Sequence, residues 1–179
     1  PMFSGKSRTL VRYVARARVI GHKTAILSPV TDTRAESQMI CHTGERRDVV
    51  KISDLAVFIA DDRFRDSQTI GIDEAQFFDT CDLFEFCRAA ADIHGKDVIV
   101  AGLDTDFQRR PFGGVTRLAS IADKYVKLDA LCSVCSDGTP AIFTARKTQA
   151  HGASTIVVGG QDMYQAVCRR HYLESIGAS

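Results

Sequence analysis

The chain has no tryptophan, only four prolines and three methionines in 179 residues, and no surplus of either charge. Lys and Arg number 23 against 22 Asp and Glu, which leaves a formal net charge of +1. Nucleic-acid binding draws on a basic field that is missing here, so no nucleic-acid partner is expected. Long apolar runs are missing too. Val98-Ile99-Val100-Ala101 is among the longest, and a spanning helix needs about 20 such residues, so no membrane partner is expected. No secretory leader pattern follows Pro1, and a cytoplasmic protein is expected. The six cysteines are unevenly placed: Cys132, Cys135 and Cys168 join a spacing pattern, whereas Cys41, Cys81 and Cys87 do not. In a cytosolic setting that favours a metal site and buried thiols over a disulfide framework. What remains is ordinary globular composition, 45% hydrophobic and 25% charged. The length suits one domain with a proper core plus a small appendage.

Helix and strand patterns alternate through the first two-thirds of the chain. Lys6 to about Val19 reads as a helix with Leu10, Val14 and Ala17 on one side. Lys23–Ser28 reads as a short strand, and Thr31 to about Arg47 as a polar loop. Ile52–Ala60 reads as a short helix with Ser53 as its N-cap, and Gln68–Asp73 as a strand. Asp82–His94 is an amphipathic helix stopped by Gly95, and Asp97–Leu103 an apolar strand expected to be buried on both faces. Leu118–Asp123 then reads as helix and Lys124–Leu128 as strand. Such alternation predicts an α/β fold, a parallel sheet flanked by helices, with ligands at the carboxyl ends of its strands. Ser28, Asp73 and Leu103-Asp104 would then share one rim. From about Asp129 the pattern changes to Cys pairs, a Gly-Thr-Pro turn and short β-like segments at Ala141–Ala145 and Thr155–Val158. Two domains are therefore expected, 1–128 and 129–179.

Gly5-Lys6-Ser7 opens the first helix, and Asp73-Glu74 ends an apolar strand. In a phosphate-binding loop, backbone N–H groups wrap the phosphates, the Lys reaches the β and γ oxygens and the Ser hydroxyl binds Mg²⁺. A strand-terminal acid then holds the metal from across the site. The full loop pattern asks for a Gly five positions before Gly5, one position beyond Pro1, so the feeding strand is expected upstream. Loop membership of Pro1, Met2, Phe3 and Ser4 follows by inference. A chance Gly-Lys-Ser on a surface turn is the plain alternative. Two adjacent acids suit one for metal and one for proton transfer; Glu74 serving only as a cap for the following turn is the plain alternative.

Cys132-x-x-Cys135 and Cys168-x-x-His171 are two chelating pairs. Two-residue spacing lets both side chains of a knuckle reach one tetrahedral ion, and Cys₃His is a structural zinc set with no open position for catalysis. Such a metal would supply folding free energy to a unit too small for its own core. Unrelated buried thiols with a surface His, or a redox Cys-x-x-Cys, are the competing readings.

Together these residues resemble the zinc-containing (type II) thymidine kinases, over essentially the whole chain. Pro1-Met2-Phe3-Ser4-Gly5-Lys6-Ser7 is similar to that family's phosphate loop, and Gly71-Ile72-Asp73-Glu74-Ala75-Gln76-Phe77-Phe78 to its acidic strand end. Leu103-Asp104-x-x-Phe107-Gln108-Arg109 with Pro111-Phe112-Gly113 resembles its substrate segment; Ile156 to Gly160, Tyr164 and Cys168-Arg169 resemble its clamp and last knuckle. The resemblance implies a RecA-like P-loop domain with a small C-terminal zinc-ribbon lasso. It further implies transfer of the γ-phosphoryl of ATP, with Mg²⁺, to the 5′-hydroxyl of thymidine, giving dTMP for DNA synthesis. Glu74 would be the general base, and Asp73 with Ser7 would hold Mg²⁺. Lys6 would neutralise the γ-phosphoryl, and Asp32, Thr33, Arg34 and Gln76 would lie on the ATP side. Phe107 would pack against thymine, Tyr164 would face the sugar, and backbone groups of Thr155, Ile156, Val157, Val158 and Gly159 would read the base. Met2 and Leu103 would line the methyl pocket. Without the resemblance, Asp32-Thr33-Arg34 reads as a solvated turn, and Phe107, Met2 and Leu103 as core. The family also implies a homotetramer and feedback by dTTP. Two departures stand out: Ala75 where members often carry Gly, tolerable if its φ is negative, and Thr43 where an acid commonly follows the His in Cys41-His42-Thr43-Gly44. The competing functions are a zinc-ribbon P-loop phosphotransferase with another acceptor, and a non-catalytic binding module.

Overall fold

The computed structural model describes residues 1–32, 38–40, 46–147 and 162–178, without side-chain detail at 38–40 and 46–48. Two compact units are present. One comprises Lys6–Gly102 and Gly113–Lys124; the other comprises Pro1–Gly5, Leu103–Phe112 and Tyr125–Ser179.

The first unit is built on a sheet of β1 (Thr24–Pro29), β2 (Gln38–Ile40), β3 (Arg46–Ile52), β4 (Thr69–Ile72) and β5 (Asp97–Val100), in the order β2-β3-β1-β4-β5. The four strands β3-β1-β4-β5 run parallel, and β2 is antiparallel to β3. Side chains alternate across the sheet. Ile26 and Val49 point towards α1 (Lys6–Val19) and pack with its Leu10 and Val14. Ala25, Leu27, Ile70 and Ile72 point the other way. They meet α2 (Leu55–Ile59), α3 (Asp62–Asp66), α4 (Thr80–Arg88) and α5 (Gly113–Leu118) through Leu55, Phe58, Phe64, Leu83, Phe86 and Leu118. Gly71 is the close-approach point. A Cβ there would stand 3.1 Å from Val14 Cγ2 and 3.3 Å from Leu10 Cδ1, so the missing side chain lets α1 lie tightly on β4.

Several local expectations are corrected. The polar stretch 31–47 contributes to strands, because β3 starts inside it at Arg46 and pairs with β2. Ser53 is not the cap of α2; Asp54 is, its carboxylate accepting from Ala56 N–H at 2.7 Å. The helix read at Asp82 begins at Thr80, because Asp79 accepts from the N–H groups of Cys81 and Asp82. It widens into a π-type turn over Ala89–Ile93 and stops at Gly95, φ +60°. β5 is not buried on both faces, since it lies at the end of the strand order and its residues are at best half-buried. Helix α5 ends where helix was expected to start. Its Gly113-Gly114 step sits against Thr80 and Leu83, where a Cβ would come within 3.3 and 3.2 Å. Helix propensity penalises that pair, but close packing on α4 requires it. Lys124–Leu128 forms no strand, and Tyr125 and Val126 are exposed.

The second unit carries two short ribbons, β6 (Ala130–Leu131) with β7 (Pro140–Ala141) and β8 (Phe143–Arg146) with β9 (Tyr164–Val167), and α6 (Arg169–Ser175). Its buried cluster is small: Cys132, Ala141, Ala145, Ala166, Val167, Cys168 and Tyr172. Among the described residues no helix is long and apolar enough to cross a membrane.

Candidate functional site

Tight packing of α1 on β4 brings the first turn of α1 to the carboxyl end of β4. The Ser7 hydroxyl donates to the Asp73 carboxylate, and Lys6 lies close enough to stabilise its charge. A helix start beside a cation and a metal-competent acid is chemistry suited to an anionic phosphate. Asp73 is only 4% exposed. Burial and the Glu74 charge push its carboxyl up, Ser7, the Glu74 N–H and Lys6 pull it down, and the balance leaves it at about 6.

Glu74 stands in the left-handed region, φ 48° and ψ 42°. A non-glycine residue there costs of order 1–3 kcal/mol and persists only when its surroundings impose it. Here they do. Asp73 N–H donates to Leu27 C=O at 2.9 Å and Ala75 N–H to Ala101 C=O at 3.0 Å, so hydrogen bonds to β1 and to the residue that follows β5 pin both flanks of the bend. The Glu74 N–H donates to Asp73 Oδ1 at 2.9 Å. Its carboxylate does not cap the turn that follows, which removes the capping reading; Oε2 accepts from Gln76 Nε2 at 2.5 Å instead. Gln76, expected on the ATP side, is buried with its amide turned to Glu74. Ala75 is buried and its φ is not positive, so the methyl group is accommodated.

Asp32 is 3% exposed, just beyond β1. Lys51, which pattern reading passed over, reaches it from β3. Its Nζ donates to Asp32 C=O at 2.7 Å and to Ser28 Oγ at 3.3 Å, and stands 4.0 Å from the Asp32 carboxylate. The Ser28–Lys51 register in parallel β1 and β3 is the signal that would have found it. Thr33 and Arg34 lie outside the described residues, as do Cys41–Gly44 and the lasso positions Thr155, Ile156, Val157, Val158 and Gly159.

In the second unit the loop Pro1–Gly5 bends through Phe3 (φ 63°) and Gly5 (φ 74°), with Ser4 Oγ donating to Pro1 C=O at 2.9 Å. Met2 N–H donates to Thr144 Oγ1 at 3.0 Å, which gives buried Thr144 a place that the sequence did not suggest. Leu103 is partly buried. The next residue, Asp104, pairs with Lys127 at 2.6 Å; burial pushes its carboxyl up, but Lys127 outweighs that and holds it below the usual range. Two positions expected to hold the nucleoside do meet: the rings of Phe107 and buried Tyr164 are 6.3 Å apart. The Arg146 guanidinium lies over the Phe107 ring at 5.5 Å, and its buried Nε has no hydrogen-bond partner among the described residues.

Cys132, Cys135, Cys168 and His171 converge, their ligand atoms all within 4.8 Å of one another. His171 Nδ1 is 3.4 Å from Cys132 Sγ, 3.4 Å from Cys135 Sγ and 3.5 Å from Cys168 Sγ. Cys135 Sγ and Cys168 Sγ are 3.9 Å apart. A tetrahedral zinc with ordinary bond lengths has S–S edges of about 3.8 Å and S–N edges of about 3.6 Å, so the donor set fits that ion. Burial raises the Cys132 thiol, but N–H groups of Cys135 and Cys168 and the His171 ring outweigh it and bring it down to about 6. Unrelated thiols would show no such convergence.

The sequence profile described as "Thymidine kinase" matches residues 1–172. Thymidine kinase a of Arabidopsis thaliana is 44% identical over 177 residues, 97% of this chain and 72% of its own. A thymidine kinase of Oryza sativa subsp. japonica is 40% identical over 97% of this chain, which spans 64% of that relative. The thymidine kinase of Monkeypox virus is 38% identical over 98% of this chain and 94% of its own length. Whole-chain profile coverage together with these identities shows that the chain belongs to the thymidine kinase family.

Proposed function

We propose that the protein transfers the γ-phosphoryl group of ATP to the 5′-hydroxyl of thymidine, giving dTMP and ADP. Family membership supports the reaction, and one observation carries the chemistry: the bend at Asp73-Glu74, with Ser7 and Lys6 on the metal-competent acid and Gln76 on its neighbour. In this reading Pro1–Ser7 is the phosphate-binding loop of a P-loop fold. Lys6 offsets charge on the transferring group. Glu74 accepts the 5′-hydroxyl proton as that oxygen bonds to the γ-phosphorus and the bond to the β-bridging oxygen breaks. Gln76 orients the Glu74 carboxylate. Ser7 and Asp73 would hold Mg²⁺, which when bound neutralises phosphate charge. Asp32, with Thr33 and Arg34, belongs to the ATP side.

Phe107 and Tyr164 form an aromatic wall for base and sugar, with Met2 and Leu103 at the thymine methyl and the 155–159 backbone reading the base edge. Cys132, Cys135, Cys168 and His171 would hold zinc as a staple for the segment 129–179, the functional counterpart of the nucleotide-handling segment 1–128. A homotetramer, a cytoplasmic setting and feedback by dTTP belong to the same proposal.

Phosphate transfer from ATP, measured with thymidine, deoxycytidine and no acceptor, tests the reaction. Thymidine-dependent ADP formation is expected, weak or absent with deoxycytidine. ATP hydrolysis indifferent to nucleoside would overturn it.

A further inference from the structure

Phe107 sits in a turn that is tied almost wholly to itself. The Asp106 carboxylate accepts from Gln108 and Arg110 N–H, each at 2.8 Å, Asp106 N–H donates to Arg110 C=O, and Arg109 bends through φ 62°. The Phe107 carbonyl reaches out of this turn. It accepts from the Tyr172 hydroxyl at 2.9 Å, across 65 positions of sequence. Tyr172 is 2% exposed, and its ring also receives the Arg109 guanidinium at 4.8 Å and packs on Phe143 at 4.9 Å. The same side chain therefore holds the turn at two points.

Tyr172 follows His171, and its own N–H donates to Cys168 C=O at 3.0 Å. Cys168 and His171 are both members of the Cys₃His cluster, so the first turn of α6 is fixed at the two positions that set the direction of the Tyr172 ring.

We propose that Tyr172 is a positioning residue for Phe107, through which the Cys₃His site sets where the aromatic wall for the nucleoside stands. This rests on the reading of Phe107 as the residue that packs against thymine. The metal site then does more than staple a small unit. Four ligands orient one helical turn, that turn aims a buried phenol, and the phenol anchors the backbone of the residue that meets the base. A buried tyrosine hydroxyl requires a partner, and here the chosen partner is a backbone carbonyl on the substrate segment.

The test is Tyr172→Phe in the zinc-loaded protein, which keeps the ring and removes the anchor. Zinc content stays at one per chain and the ATP KM and kcat stay near wild type. The thymidine KM, and the thymidine Kd by calorimetry, rise roughly three- to tenfold, the range expected for one lost hydrogen bond. In a Phe107→Leu background the same substitution adds little, because two residues acting through one contact are non-additive. An unchanged thymidine Kd with full zinc overturns the proposal, as does a full additional rise in the Phe107→Leu background. Wild-type protein measured alongside separates this from the functional reading: if it does not bind thymidine, that reading falls as well. If it binds and Tyr172→Phe binds equally, only the positioning role falls.

Discussion

The two units hold themselves together by different means. In the first, apolar side chains fill both faces of a parallel sheet, with Leu27, Ile70, Ile72, Leu55 and Leu83 fully removed from solvent. In the second, three of the seven buried cluster residues are alanine and two are cysteine. At about 25 cal/mol per Å² of buried apolar surface, a cluster of that composition supplies little. A metal held by the Cys₃His ligands would make up the difference. The sheet holds the charge chemistry of Asp73 and Glu74 by packing, whereas Phe107 and Tyr164 belong to a unit that, in the proposed reading, a metal would order.

Metal withdrawal breaks the comparison most sharply. Removing zinc with a strong chelator, or Cys135→Ser, should abolish the ordered state of the second unit, since structural zinc contributes on the order of 10 kcal/mol. Near-UV circular dichroism should fall while the helical signal of the first unit persists. An unchanged spectrum in demonstrably metal-free protein would contradict it. On the other side, Glu74→Gln should lower kcat by roughly 10²- to 10⁴-fold, the usual span for a general base, with ATP and thymidine affinities intact. Retention of more than about a tenth of the rate would remove Glu74 from that role.

Asp73 gives a smaller effect with a defined sign. Its folded value of about 6 lies above the ordinary 3.8, so ionising it costs the folded state. The folded chain holds an extra proton between those values, and stability falls as pH rises through that window. Asp73→Asn should therefore be more stable than wild type at pH 8 by about 1–3 kcal/mol, and no more stable at pH 4, while losing turnover. Denaturant melts at the two pH values check it. The smallest expected change is at Arg146. Methionine there removes a buried donor with no partner among the described residues and the cation over Phe107, two effects of about 1 kcal/mol and opposite sign, so stability should hold within about 0.5 kcal/mol. Calorimetry should show thymidine binding weakened about threefold, from the lost cation over Phe107; an unchanged Kd would remove Arg146 from the nucleoside side.

Legibility followed the range of the interactions. Helix α1, β4 and the acids at its end carry their signals locally, in periodicity and in a phosphate-type motif, and were readable. The knuckles were readable because ligand spacing is a local property. β2 and β3 were missed because the first half of β3, Arg46-Arg47-Asp48, is charged and its pairing decides the matter. α5 was misplaced because Gly113-Gly114 acts through proximity to α4, which no propensity scale registers. Lys51, Thr144, Arg146 and Tyr172 were invisible for the same reason: each acts on a residue far away in sequence.

In the proposed reading, Lys6, Ser7, Asp73 and Glu74 are held by the packed sheet, whereas the nucleoside wall of Phe107 and Tyr164, with the loop Pro1–Gly5, depends on the metal-held unit. The most direct measurement is the affinity for thymidine and for a non-hydrolysable ATP analogue, followed in one protein sample as zinc is withdrawn and restored. Thymidine affinity is expected to fall by at least tenfold and to return with the metal, while the nucleotide analogue, which keeps Lys6, Ser7 and Asp73 but loses the order of the Pro1–Gly5 loop, weakens several-fold less. Parallel loss of both, or thymidine binding indifferent to zinc, would contradict it.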